Sequence, residues 1–196
     1  MQQGQCAFTL PEVMVASCLG FGIGGTVIFL LVQAAVEQRV GLAAATVEKS
    51  AYYLQSSIVN CFRGMSANQG LSPDYTSALR DGDGHLLGYQ TVFCFSANTN
   101  GSYTRNQISV DPASGRVTYV PDVTMPTTSI IWMTNTANVV LRQLCFSTSY
   151  NPDGSLNGSL VNVQFLMDDN GASQQARNGN PASVYRSFSV HMRSDS

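Results

Sequence analysis

The chain begins with a long uncharged stretch, passes through a helical stripe, and ends in short alternating segments. From Val13 to Val36 there are 24 residues without a charge. At about 1.5 Å per residue, such a helix crosses a hydrocarbon core of roughly 30 Å. After Val36 the pattern becomes periodic. Val40, Ala44, Val47, Ala51, Leu54, Ile58 and Cys61 step by four and three, the spacing of one apolar face on an α-helix. Glu37, Gln38, Arg39, Glu48, Lys49, Gln55 and Ser56 fall on the other faces. Small alanines and a length of about three heptads argue against a coiled coil. The pattern predicts a helix with one face on a single antiparallel sheet. Arg63-Gly64 is its stop, and the whole rod from Phe8 to Phe62 measures roughly 80 Å.

Residues 65–88 carry Asn68, Gly70, Pro73 and Asp81-Gly82-Asp83-Gly84, and read as an irregular connection. From Tyr89 onward the period is two. Predicted strands are Thr91–Ser96, Gln107–Val110, Arg116–Val120, Ile130–Met133, Val139–Ser149, Ser159–Met167 and Val184–Arg193. Asn100-Gly101, Asp111–Gly115, Asn151–Gly154 and Asp168–Gly171 supply turns, and 170–182 is a polar loop. A long helix followed by strands, with little helix between them, is an α+β order with antiparallel pairing. The divisions are a leader at 1–7, a membrane-spanning and assembly helix at 8–36, an amphipathic helix at 37–63, and a β-rich head at 64–196.

Composition sharpens this picture at one place. Charged residues are 11% of the 196 residues and the formal net charge is −2. No basic patch suggests nucleic-acid binding. The only charge from Met1 to Val36 is Glu12, and a carboxylate at the edge of an apolar span needs a partner or a headgroup position. A secretory signal peptide fits poorly. It wants a basic start and a shorter apolar core ending in a small-x-small cleavage site. Gly20, Gly22, Gly24 and Gly25 would weaken a helix in water by about 1 kcal/mol each. In lipid they permit close helix packing.

The stretch Ala7-Phe8-Thr9-Leu10-Pro11-Glu12-Val13-Met14-Val15-Ala16 resembles the processing and methylation motif of type IV pilins and type II secretion pseudopilins. The resemblance is tight over about ten residues and loose over the following helix. It implies a pilin-like fold, a cut between Ala7 and Phe8 by a prepilin peptidase, and methylation of the new N-terminal Phe8. It also implies that Glu12 meets the N-terminus of a neighbouring subunit. Implied partners are other pilins or pseudopilins, an inner-membrane assembly platform and membrane lipid. The implied location is the bacterial inner membrane with the head in the periplasm, then a pilus or pseudopilus. Ala7 stands where the family usually has Gly, and Met1–Cys6 lacks the usual basic residues. The hairpin Asp111–Tyr119 also looks like one in larger minor pilins. A head of this size points to a minor, tip or initiating subunit.

Other chemistry is sparse. Of Cys6, Cys18, Cys61, Cys94 and Cys145, three lie beyond the leader and span. Cys94 sits between Phe93 and Phe95, and Cys145 between Leu144 and Phe146. If those large neighbours face the core, both sulfurs point to the opposite face. Cys94–Cys145 is therefore the candidate disulfide, with Cys61 a buried small hydrophobe; three free, buried thiols are an equal alternative. No Cys-x-x-Cys metal spacing, phosphate loop or serine elbow occurs. The Asp81–Gly84 piece lacks the distal Glu of a calcium loop, since Val92 occupies that place, and reads as a plain turn. His85 and His191 read as surface residues. Neither an enzyme nor a cofactor is expected. A second function class remains: a membrane-anchored binding module, an adhesin or cargo receptor, outside any filament.

Overall fold

The computed structural model describes residues 9–125, 128–136, 138–150, 156–170 and 182–193. Ala7, Phe8 and the turn at 151–154 lie outside these residues, as does most of the polar loop at 170–182. One helix, α1 (Leu10–Arg63, 54 residues), leads the chain. Ten strands follow among the described residues: β1 (Ser72–Pro73), β2 (Ala78–Arg80), β3 (Leu86–Tyr89), β4 (Thr91–Ala97), β5 (Tyr103–Asp111), β6 (Arg116–Val120), β7 (Ile130–Met133), β8 (Val139–Tyr150), β9 (Leu156–Asp169) and β10 (Ser183–His191). The result is an α+β arrangement resembling the pilin-like fold.

The strands form two sheets rather than the single sheet expected. The first runs β1-β4-β5-β6-β7 and the second β10-β9-β8-β3-β2. Every strand pairing is antiparallel. The seven predicted strands are all present, several longer than expected. The 65–88 connection is less irregular than its turn residues suggest, because it contributes β1, β2 and most of β3. These pieces are two to four residues long and hold their shape by pairing, β1 with β4, β2 with β3 and β3 with β8, not by their own pattern.

The chain passes from the second sheet to the first at Gln90, the one residue between β3 and β4. Two glycines make the surrounding geometry feasible. Gly88 has φ 151°, and a Cβ there would stand 2.7 Å from the Phe146 carbonyl oxygen of β8. Gly115, φ 59°, closes the β5–β6 hairpin beneath the Asn135 side chain, which a Cβ would overlap. Asn135 is itself committed, accepting from the Leu141 amide at 2.8 Å.

α1 rests mainly on β10 and β9 of the second sheet. Its buried residues are Val47, Ala51, Leu54, Ile58 and Phe62, all 0% exposed. Val40 and Ala44 are half-buried. The stripe therefore ends on Phe62, not on Cys61, and Phe62 meets the Phe146 ring edge-on at 5.9 Å. Both sheets feed the same core, with Val92, Ile108 and Val117 from the first and Leu144, Val163 and Phe165 from the second. The face of β10 that meets the helix carries Val184, Arg186, Phe188 and Val190. There Arg186 forms a surface ion pair with Glu48 of α1.

Immediately after α1, the backbone is gripped by both sheets. The Ser66 amide donates to the Phe95 carbonyl at 2.7 Å, and the Ala67 amide to the Arg193 carbonyl at 2.7 Å. The Asn106 side-chain amide, buried beneath this turn, donates to Met65 Sδ at 3.3 Å and Ser96 Oγ at 3.2 Å.

Leu54→Asp is expected to unfold the head, since an unpaired buried carboxylate costs several kcal/mol. An unchanged melting temperature would rule this packing out. Gly115→Ala should lower stability by about 1–3 kcal/mol through strain and the displaced Asn135 amide, read in the same melt.

Candidate functional site

The span begins with a capping box. Thr9 is the N-cap, and Glu12, three residues on, returns its Oε2 to the Thr9 amide and hydroxyl, each at 2.9 Å. Such a pair satisfies amide donors that a helix start leaves without intrahelical partners. Pro11 sits in the first turn, where its missing N–H costs nothing. The Thr-x-x-Glu spacing of this cap is legible in Thr9–Glu12 but is easily overlooked beside the more unusual placement of a charge at the edge of a span. Glu12 thus has a use within its own chain.

From Val13 to Val36 the helix surface is uncharged and mostly apolar. Its most apolar window has a mean hydropathy of 2.2 and no part of it is buried within the chain. Phe21, Leu31 and Phe29 stand 83%, 65% and 63% exposed. Among the described residues there is therefore one helix long and apolar enough to cross a membrane. A Cβ added at Gly20, Gly22, Gly24 or Gly25 would touch nothing, so these backbone faces are open to a closely packed neighbour. There is no break at 36/37. The helix is continuous, and what changes along it is its burial and how polar its surface is.

Where α1 meets the first sheet, a second cluster forms. Cys61 is half-buried, Cys94 of β4 fully buried, and the two thiols lie within hydrogen-bond reach. Tyr119 of β6 lies beside both sulfurs and stacks on Trp132 of β7 at 5.2 Å and 19°. The hydrogen bond with Cys61 and then burial push the Cys94 thiol well above the ordinary range. Burial, followed by the two cysteines, pushes the Tyr119 phenol up.

The expected Cys94–Cys145 bridge is not made; the described cysteines are all thiols. Alternation along each strand is as predicted, but the faces are assigned differently. In β8, Leu144 and Phe146 face the core, and the Cys145 sulfur turns outward to the Leu87 carbonyl at 3.6 Å. In β4 the order reverses. Val92 and Cys94 are the core residues, while Phe93 turns out beneath the Arg105 guanidinium, 3.7 Å from its ring centroid. An aromatic residue can be covered by a cation on an outer face, so side-chain size did not decide which side was inside.

The Asp81–His85 turn joins β2 to β3. Asp81 Oδ1 accepts from the amides of Asp83 at 3.0 Å and His85 at 2.8 Å, and Oδ2 faces His85 Nδ1 at 3.2 Å. Asp81, Asp83 and His85 can bring ligand atoms within 4.8 Å of one another, but all three are exposed, and the Asp81 carboxylate already shapes its own turn. His191 is exposed at the end of β10. A groove of about 730 Å3 opens between α1 and β7, lined by Leu42, Lys49, Tyr53, Ile131, Trp132 and neighbours.

Comparison with family models, with curated proteins and with solved structures returns no match.

A pH dependence follows from the cysteine–tyrosine cluster. Both Cys94 and Tyr119 have folded pKa values raised above those of the unfolded chain. Their contribution to stability is complete below the ordinary thiol and phenol values, about 8.5 and about 10, and is lost as pH rises beyond them. The reduced full chain in detergent should lose melting temperature steadily above about pH 8.5. Trp132, the chain's one tryptophan, reports the transition by fluorescence. Tyr119→Phe should flatten the loss above about pH 10.

Proposed function

We propose that the chain is a minor subunit of a type IV pilus or type II secretion pseudopilus. In this reading it is made as a membrane-held precursor with its head outside the cytoplasm. A prepilin peptidase cuts it between Ala7 and Phe8, and an inner-membrane platform assembles it with other pilins. The observation that carries the reading is a single unbroken helix. One half has its stripe in the core of the head, and the other exposes apolar surface on all sides, with Glu12 as the only charge at its start. Apolar surface of this extent demands lipid or other helices. A continuous rod also fixes the head relative to whatever the apolar half stacks against. The role is structural, with no catalytic step assigned to the head.

Cutting exposes an amine on Phe8, whose reference pKa of about 7.7–8.0 leaves it largely charged at neutral pH. Within a stack of apolar helices, that amine and Glu12 would each be costly alone and would offset one another when paired. The pair therefore sets register. The Thr9 cap is compatible with this, because a carboxylate has capacity for several donors.

A second reading, the anchored binding module, is favoured by the groove between α1 and β7. An anchor would also use Glu12 as a helix cap, so Glu12 by itself separates the two readings less sharply than its placement suggests.

Mass spectrometry of the mature N-terminus decides between them. Methylated Phe8 is expected, and Met1 in assembled material overturns the pilin reading. Ala7→Leu should leave uncut precursor in the membrane. Glu12→Ala and Glu12→Gln should insert, be cut and fold a normal head, yet be recovered poorly in pull-downs with the other pilins. Thr9→Ala, which removes the capping hydroxyl but keeps the charge, should be recovered near the wild-type level. If Thr9→Ala fails as Glu12→Ala does, capping alone accounts for Glu12.

A further inference from the structure

We propose that Cys61 and Cys94 form a disulfide that staples the C-terminal end of α1 to β4. The bond rests on the reading that the head matures outside the cytoplasm, where thiol–disulfide oxidants act. Its geometry stands independently of that reading.

The backbone holds both cysteines in place. The Ser66 amide is bonded to the Phe95 carbonyl, one residue past Cys94. Asn106, which pairs with Cys94 across β4 and β5, donates to Met65 Sδ. The end of α1 is thus clamped to the strand that carries Cys94. Between these clamps the two thiols meet, and the same Tyr119 phenol lies beside both. The other described cysteines are placed elsewhere. Cys145 faces the Leu87 carbonyl on the outer side of β8, and Cys18 lies exposed on the apolar half of α1. Oxidation therefore has one matched pair to act on.

The reaction is a thiol–disulfide exchange with a dithiol oxidant. Cys61, the more accessible thiol, loses its proton and attacks the oxidant's disulfide. One oxidant sulfur leaves as a thiol, and a mixed disulfide remains. The Cys94 thiolate then displaces the second oxidant sulfur, forming the Cys61–Cys94 bond. Two cysteine thiols give up two electrons and two protons, and the oxidant's disulfide becomes a dithiol. The bond then ties the end of α1 to β4. It closes a loop of about thirty residues. It also joins the helix to the first sheet, which α1 touches far less than it touches β10 and β9. A load on the helix then reaches both sheets.

The test uses the full chain in detergent, reduced and unfolded, then refolded in a mixture of reduced and oxidised glutathione. Acid quenching, alkylation and peptide mass mapping follow. The Cys61 peptide is expected linked to the Cys94 peptide, with Cys18 and Cys145 alkylated. The linked protein should melt at a higher temperature than the same sample held in dithiothreitol, and Cys61→Ser should abolish that difference. Alkylation of both Cys61 and Cys94, or a Cys94–Cys145 link, overturns the proposal. A second arm maps the thiols after acid quenching of whole cells, alongside a C-terminal topology reporter. A head outside the cytoplasm with the pair bonded supports the proposal, and one with the pair alkylated overturns it. A head inside the cytoplasm overturns the placement and the bond in cells, while the refolding arm still decides the pair.

Discussion

Everything in the head depends on burying one stripe of α1. Val47, Ala51, Leu54, Ile58 and Phe62 are fully enclosed, and core burial of large side chains contributes about 1.5–3 kcal/mol each. The helix needs that burial, because an isolated helix with Gly41 and several β-branched residues has little intrinsic stability in water. The sheets need it equally. Without α1, the inward faces of β9 and β10 would expose Val161, Val163, Phe165 and Val190 to solvent. The ion pair of Arg186 with Glu48 lies at the rim of this contact and is half-exposed. An exposed pair of this kind contributes less than about 1 kcal/mol, so it orients the helix more than it holds it.

The turn at Met65–Ala67 converts that packing into a defined angle. Its amides are taken by Phe95 of β4 on one side and by Arg193, just past the end of β10, on the other. The buried Asn106 amide is satisfied by Met65, Ser96 and the Thr104 carbonyl. A buried polar network that is fully bonded adds uniqueness to a core. Here it fixes where the rod leaves the head, and the direction of the apolar half follows from that.

The two halves of α1 differ in surface and in burial. Near the head, stability comes from an apolar stripe against polar outer faces. Toward Glu12, the surface is mostly apolar on every face and carries no charge from Val13 to Val36. Four glycines stand there with open space beside them and leave flat surface on the helix. The Thr9–Glu12 cap closes the rod at the end where amides would otherwise be orphaned.

Local periodicity carried much of this in the sequence. The uncharged run, the three-four stripe and the seven alternating segments each declare their element, because side-chain direction repeats at 3.6 or 2 residues along the backbone. The Thr9-x-x-Glu12 cap was equally local. Tertiary structure alone decided the rest. β1, β2 and β3 are too short to show a period and exist through their pairing partners. Two sheets form instead of one, and the chain changes sheet between β1 and β2, at Gln90 and between β7 and β8; Gly88, beside the second crossing, has no room for a side chain. Alternation divides Phe93, Cys94 and Phe95 between two faces but does not say which face is inside. Arg105 covers Phe93 on the outside, and Cys94 is left to meet Cys61. That meeting joins residues far apart in the chain, and only the packing of α1 against β4 brings them together.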